Sequence, residues 1–290
     1  VARAIYTEVK EGRGSPHGGV FLDISYQDKE RVKKKLPSMY HQFKDLADVD
    51  ITAGPMEVGP TMHYIMGGVR VEADTCMTQV PGLFAAGECS GGMHGANRLG
   101  GNSLSDLVVF GRRAGMGAAE YVKGINSTLK IDNNEIEGAI AEMEEPFKRT
   151  DGKNPYDIAK ELNVIMSTYV GIFREEGDLK TGIEKLEELK KQVKMAKASG
   201  SKAVNPGWHL CRDLHNMFIC SEAIARSALS RKESRGAHSR LDYTATEAEW
   251  GKVNTACKKD GAEMKLEHTP TLVMPEDLKE LFGKKEPSNV

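Results

Sequence analysis

Between His63 and Gly115 the chain concentrates residue types suited to holding a charged or polyhydroxyl ligand. The stretch Thr78-Gln-Val-Pro-Gly-Leu-Phe-Ala-Ala-Gly-Glu88 reads as a Pro-Gly turn, a buried strand and a glycine-acid end at the carboxyl edge of a sheet. That edge is where open α/β sheets bind ligands. A glycine before the acid lets a polyol approach the backbone, and the carboxylate accepts hydrogen bonds from its hydroxyls, so Glu88 is the first candidate cofactor contact. The glycine-rich run from Ser90 to Leu104 then leads into a helix that starts near Ser103. Asn102 or Ser103 suits the N-cap, and the exposed amides of the first turn form an anion site. A redox cofactor whose reduced form gains negative charge suits such a helix end.

The elements around this segment follow from periodicity and punctuation. Residues 1–60 mix an amphipathic helix (Ile5, Val9), a glycine-rich loop, a short strand from Val20 to Ile24 and a second helix around Arg31 to Phe43, as expected for part of a small α+β lobe. From Thr61 to Gly124 the order is strand, turn, strand, loop, helix, one end of a Rossmann-like unit. Ile136, Ile140, Met143 and Phe147 then form a helical stripe, as do Leu162, Ile165, Met166 and Tyr169. Ile183, Leu186, Leu189 and Val193 form a third, and Leu210, Leu214, Met217 and Phe218 a fourth, predicting a helical bundle over 125–242. The tail over 243–290 reads as irregular and polar.

Composition sets the outer bounds. The 290 residues, 39% of them hydrophobic, suffice for a substantial core. With 40 basic and 42 acidic residues, the net charge of -2 gives no electrostatic footprint for a nucleic-acid partner. Five cysteines without CxxC spacing fit a reducing compartment rather than a disulfide framework. The longest apolar stretches fall well short of the roughly 20 residues a membrane-crossing helix needs.

HYIMGG, PGLFAAGE and HGANRLGGNSLSDLVVFGRRAG resemble the matching segments of the succinate dehydrogenase/fumarate reductase flavoprotein family, and the likeness continues through VGIFREEGDL and KESRGAHSRLDY. L-aspartate oxidase, a member of the same superfamily, is the alternative; the Leu-Gly-Gly after Arg98 favours the succinate/fumarate branch. A further alternative is a non-catalytic fragment acting as an interaction module.

The resemblance implies an α/β plus α fold, with part of a capping domain over 1–60, the C-terminal part of a Rossmann-like FAD-binding domain over 61–124 and a helical domain over 125–242, followed by the tail. It implies FAD as cofactor, held by Glu88, Ser103 and Leu104. It places the substrate's two carboxylates on His63 and Arg98, a pairing that suits a planar guanidinium fork and a shorter imidazole donor. Taken without the motif, His63 reads as a satisfied strand histidine sooner than as a ligand, and His94 as support for its loop. Arg112 and Arg113 read as a structural pair, and the Arg235–Arg240 loop as a packing or subunit contact.

The implied reaction interconverts succinate and fumarate by hydride transfer at the flavin, and the implied partners are an iron-sulfur subunit together with membrane anchor subunits. The expected location is cytoplasmic, peripheral on the inner face of the cell membrane. The GxGxxG dinucleotide fingerprint and the family's proton-transferring Arg are not in this sequence, and the expectation is that both precede Val1. The chain alone is therefore expected to bind FAD weakly and to be inactive.

Overall fold

The opening segment folds as α1 (Ala2–Lys10), with Ile5 and Val9 half-buried on one face. Beyond the glycine-rich turn, β1 (Val20–Leu22) pairs antiparallel with β2 (Met56–Val58), Val20 opposite Val58 and Leu22 opposite Met56. The single helix expected around Arg31 to Phe43 is two. Asp28 caps α2 (Lys29–Lys35) by accepting from the Arg31 amide at 2.8 Å. Pro37 has no amide with which to continue that helix, so it takes the first position of α3 (Pro37–Ala47) instead. Val32, Ile51 and Met56 form a small core with Tyr40 and Phe43 packed against it.

These elements belong to the first of two compact units, Val1–Gly124 and Ile125–Val290, in a computed structural model that describes residues 1–126 and 130–281. From Thr61 to Gly101 the two expected strands do not form. Val69 bridges Ser90 in parallel and Met77 faces Phe84 antiparallel, each as an isolated pair, and Gly87–Cys89 is a single 3-10 turn. A strand exists only where a neighbour extends the ladder, and each of these segments meets one residue of another. Among the described residues the sheets are two antiparallel pairs, without an open parallel sheet.

The glycine-rich loop ends in α4 (Asn102–Lys123). Its N-cap is Gly101, at φ +85°, rather than Asn102 or Ser103, and no side chain caps it. Asn102 is already helical, with its amide bonded to Leu99 O at 3.2 Å. The buried residue of α4 is an acid, Asp106, while Leu104, Val108, Met116 and Val122 are exposed.

The second unit is helical. In α5 (Asn133–Lys148) the expected stripe holds only at its end: Phe147 packs on Trp208, whose Nε1 donates to Met143 O at 2.6 Å. Ile136 and Ile140 are exposed because the helices ahead cover only the last turns of α5. Asn154-Pro155 starts α6 (Pro155–Tyr169), α7 (Glu176–Val193) follows, and Asn205-Pro206 starts α8 (Pro206–Ser230). Each Asn side chain accepts from an early amide while the proline fills the first helical position. Leu162, Leu189, Leu214 and Phe218 sit in one buried cluster, as their spacing predicts, and Ile158 and Leu179 join them.

The tail is not irregular. Strands β3 (Val253–Asp260) and β4 (Glu263–Pro270) form a full antiparallel hairpin, Val253 opposite Pro270, and α9 (Glu276–Leu281) follows. Lysines and glutamates on both faces hide its alternation, although Asp260-Gly261 at the turn is a hairpin signal. The remainder of the predicted tail, 282–290, lies outside the described residues, as do 127–129 of the predicted helical domain.

Candidate active site

The segment 61–69, the loop 90–101 and the first turns of α4 converge. Gly68 makes the approach possible: a Cβ there would lie 2.5 Å from the Cys89 carbonyl oxygen. Without one, Val69 N donates to Cys89 O at 2.8 Å and Gly91 N to Val69 O at 3.0 Å. These two backbone hydrogen bonds set the HY segment against the Gly-Glu turn.

Arg98 and His63 meet across this junction. Arg98 Nη2 lies 3.1 Å from His63 Nε2, and Nη1 donates to the neighbouring Leu99 O at 3.1 Å. A guanidinium has only donors, so the imidazole accepts at Nε2 and carries its proton on Nδ1. The Arg98 carbon Cζ sits 4.6 Å from the centroid of the Tyr64 ring, a cation–π contact worth about 0.5–2 kcal/mol. None of these partners is an acid, and Arg98 forms no ion pair among the described residues. Its Nε is buried without a hydrogen-bond partner. An uncompensated guanidinium with a spare donor favours an anionic ligand.

Behind Arg98 lies a buried polar cluster. Tyr64 Oη is 2.9 Å from His94 Nε2 and 3.2 Å from Asp106 Oδ2, and His94 Nε2 is 3.1 Å from the same oxygen. The carboxylate is the member without a proton, so hydroxyl and imidazole both donate toward it. Burial first, and then the bond to Asp106, push the Tyr64 hydroxyl above its ordinary range, which keeps it a donor. His94 is held in this cluster and supports its loop. The other carboxylate oxygen, Asp106 Oδ1, is buried without a partner.

The candidate cofactor contacts lie in the same unit. Glu88 stands on the 3-10 turn rather than at a strand end; Oε1 accepts from Ile65 N at 2.9 Å, and the side chain is exposed. Gly87 before it takes φ +77°, and a Cβ there would collide with Leu107 Cδ2, so backbone and helix approach as only glycine allows. Ser103 and Leu104 fall in the first turn of α4, where helix geometry leaves their amides without an intrahelical acceptor. Nothing stands within 4 Å of a Cβ at Gly100 or Gly101. An open, uncapped helix end beside a hydroxyl-accepting carboxylate fits a cofactor with an anionic edge and a polyol chain.

The second unit buries its charges for another purpose. Glu233 is fully buried and receives Arg231 Nε at 2.7 Å, Arg235 Nε at 2.8 Å and the Glu247 amide at 2.9 Å. Arg240, 1% exposed, donates from Nε and Nη2 to the two carboxylate oxygens of Asp242, each at 2.7 Å, and from Nη1 to Ala228 O at 2.8 Å. The Arg235–Arg240 loop is thus part of a packed ionic knot. Arg113 likewise ties α4 to Ala73 O at 3.1 Å, in keeping with a structural part.

Sequence reasoning missed Tyr64 and Asp106. Tyr64 adjoins His63 in the motif, and an acid on a helix otherwise read as apolar was the available signal for Asp106. Two further observations bear on the setting. No described helix is long and apolar enough to cross a membrane. Among the described residues, no group of His, Cys, Asp and Glu gathers to hold a metal ion.

Residues 1–104 match the FAD binding domain family, and 159–281 match the fumarate reductase flavoprotein C-terminal family. The two matches together define the class as an FAD-binding flavoprotein. The fumarate reductase flavoprotein subunit of Escherichia coli is 37% identical over 258 residues, 85% of this chain and 42% of that protein. The succinate dehydrogenase flavoprotein subunit of Coxiella burnetii is 37% identical over 275 residues, 90% of this chain and 47% of that one. Among solved structures, Mycobacterium smegmatis Sdh1 in complex with UQ1 superposes with a TM-score of 0.88 at 48% identity, covering 98% of this chain and 48% of that one. The chain belongs to the flavoprotein-subunit family of succinate dehydrogenases and fumarate reductases. It spans somewhat under half the length of these relatives.

Proposed function

We propose that this chain is the dicarboxylate-clamping portion of a flavoprotein subunit that interconverts succinate and fumarate. The observation that carries the reading is the 3.1 Å contact between Arg98 and His63, a charged fork without a carboxylate beside an imidazole. One substrate carboxylate engages the Arg98 donors and the other lies toward His63; fixing both ends of a four-carbon diacid orients its central carbons. The guanidinium also stabilises negative charge that grows on the carboxylate during reaction.

Glu88 and the amides of Ser103 and Leu104 would hold FAD, and bound FAD supplies the two-electron chemistry. The domain assignment belongs to the same reading: a capping lobe over 1–60, one end of a Rossmann-like FAD-binding domain over 61–124, a helical domain over 125–242 and the hairpin-bearing tail over 243–290. The exposed apolar face of α4 supports it, because such a face normally packs against a further layer. Membrane anchors and an iron-sulfur subunit are the proposed electron partners, placing the assembly on the inner face of the cell membrane.

Two measurements test this. Succinate added to the complete, FAD-loaded subunit should perturb the flavin absorbance saturably; no response up to millimolar succinate would sink the assignment. The 290-residue chain alone lacks a GxGxxG turn for the pyrophosphate, and is expected to show no turnover with an artificial electron acceptor.

A further inference from the structure

Asp106 contacts no candidate ligand position, yet it is an acid 4% exposed in the second turn of α4. Burying a carboxylate is unfavourable unless its hydrogen bonds repay the lost hydration. The groups it gathers are Tyr64 and His94, and beyond Tyr64 stands Arg98. The Tyr64 hydroxyl is occupied by Asp106 and His94, so what Tyr64 offers the site is its ring face. A phenol that donates to a carboxylate is more electron-rich than a free one, and its face attracts a cation more strongly. Arg98 has need of such a surface. It lies on a glycine-rich loop and has no ion pair to fix its rotamer.

Resting on the dicarboxylate reading above, we propose that Tyr64, anchored by Asp106 and His94, is a positioning residue that holds the Arg98 guanidinium toward His63 and the dicarboxylate. The cluster acts on the ligand through Arg98 alone. Tyr64 and Asp106 are 42 positions apart, Tyr64 and His94 are 30 apart, and the three side chains tie the HY segment, the glycine loop and α4 into one support.

The test measures the succinate dissociation constant of the complete FAD-loaded subunit from its flavin absorbance. Tyr64→Phe keeps the ring and removes the anchor; binding is expected to weaken about three- to tenfold, with FAD content unchanged and KM rising by the same factor. Asp106→Asn keeps the shape and weakens the acceptor, and is expected to act in the same direction. In an Arg98→Ala background Tyr64→Phe should add nothing, since its effect passes through that guanidinium. An unchanged dissociation constant in Tyr64→Phe overturns the proposal, as does a loss that persists in full without Arg98. Wild-type affinity in Asp106→Asn overturns the role given to the acid. If Arg98→Ala alone binds succinate as tightly as wild type, the clamp itself fails, an outcome distinct from failure of its support.

Discussion

Arg98 Nη2 rests 3.1 Å from His63 Nε2 although the two residues are 35 positions apart in the chain. The bond joins a donor-only cation to a neutral lone pair, so it orients the guanidinium without neutralising it. Arg98→Ala in the complete subunit should remove about 2–4 kcal/mol of transition-state stabilisation, read as kcat/KM for succinate. Unchanged kcat/KM would remove Arg98 from the site.

His63→Ala deletes the acceptor that steers Arg98 and one donor toward the ligand. Succinate binding should weaken by about 1–3 kcal/mol, measured as a dissociation constant, while FAD content stays the same. An unaltered dissociation constant would return His63 to the role of an ordinary loop histidine.

Gly68→Ala tests the junction itself. The added methyl would press on the Cys89 carbonyl, a backbone atom that cannot swing aside. Overpacking of this kind costs about 1–3 kcal/mol, and because the displaced turn carries Glu88, FAD retention should fall along with Tm. Full FAD occupancy and an unshifted Tm would mean that the two segments can separate freely.

In the second unit, Glu233→Ala would strand Arg231 and Arg235 around a vacated carboxylate. Burial alone would raise the Glu233 carboxyl, but the bonds from Arg235, the Glu247 amide and Arg231 outweigh it and hold it below the usual range. Breaking such a buried set by removing one partner costs about 3–5 kcal/mol, to be read from urea unfolding. A loss under about 1 kcal/mol would show that the arginines find other partners.

His238 makes the same region sensitive to acid. Burial, reinforced by Arg174, Arg240 and Arg231, lowers its pKa to about 4, while a bond to the Arg231 carbonyl opposes the shift. Arg174 Nη1 donates to Nδ1 at 2.9 Å, the site a second proton would need. Because the folded-state value lies below the unfolded one, the unfolded chain binds the extra proton first. Stability is therefore whole above about pH 6.5 and declines as pH falls toward 4, by roughly 3 kcal/mol in all. Asp242, held near pKa 2 chiefly by Arg240, adds a further loss of the same sign below pH 4. Unfolding free energies at pH 7, 5.5 and 4.5 check the trend, and His238→Gln should flatten it.

The apolar stripes of α6, α7 and α8 were legible as they stand, since a 3.6-residue repeat of Leu, Ile and Phe has one good solution, a buried helix face. The motifs pointed to FAD, which the family match supports, and put forward His63, Arg98, Glu88, Ser103 and Leu104 as candidate contacts. Periodicity, however, says which face a residue occupies and nothing about what covers it. Ile136 and Ile140 keep their spacing and stay exposed, while the β3–β4 hairpin forms from charged strands because each supplies the other's backbone bonds. The same limit hid Tyr64 and Asp106. Residue types and their local conformations are set along the chain, whereas the meeting of a strand-like segment, a glycine loop and a helix is decided by packing. Only that packing brings a buried acid, a phenol and a guanidinium into line, because their attraction matters only at the few ångströms that the tertiary structure alone creates.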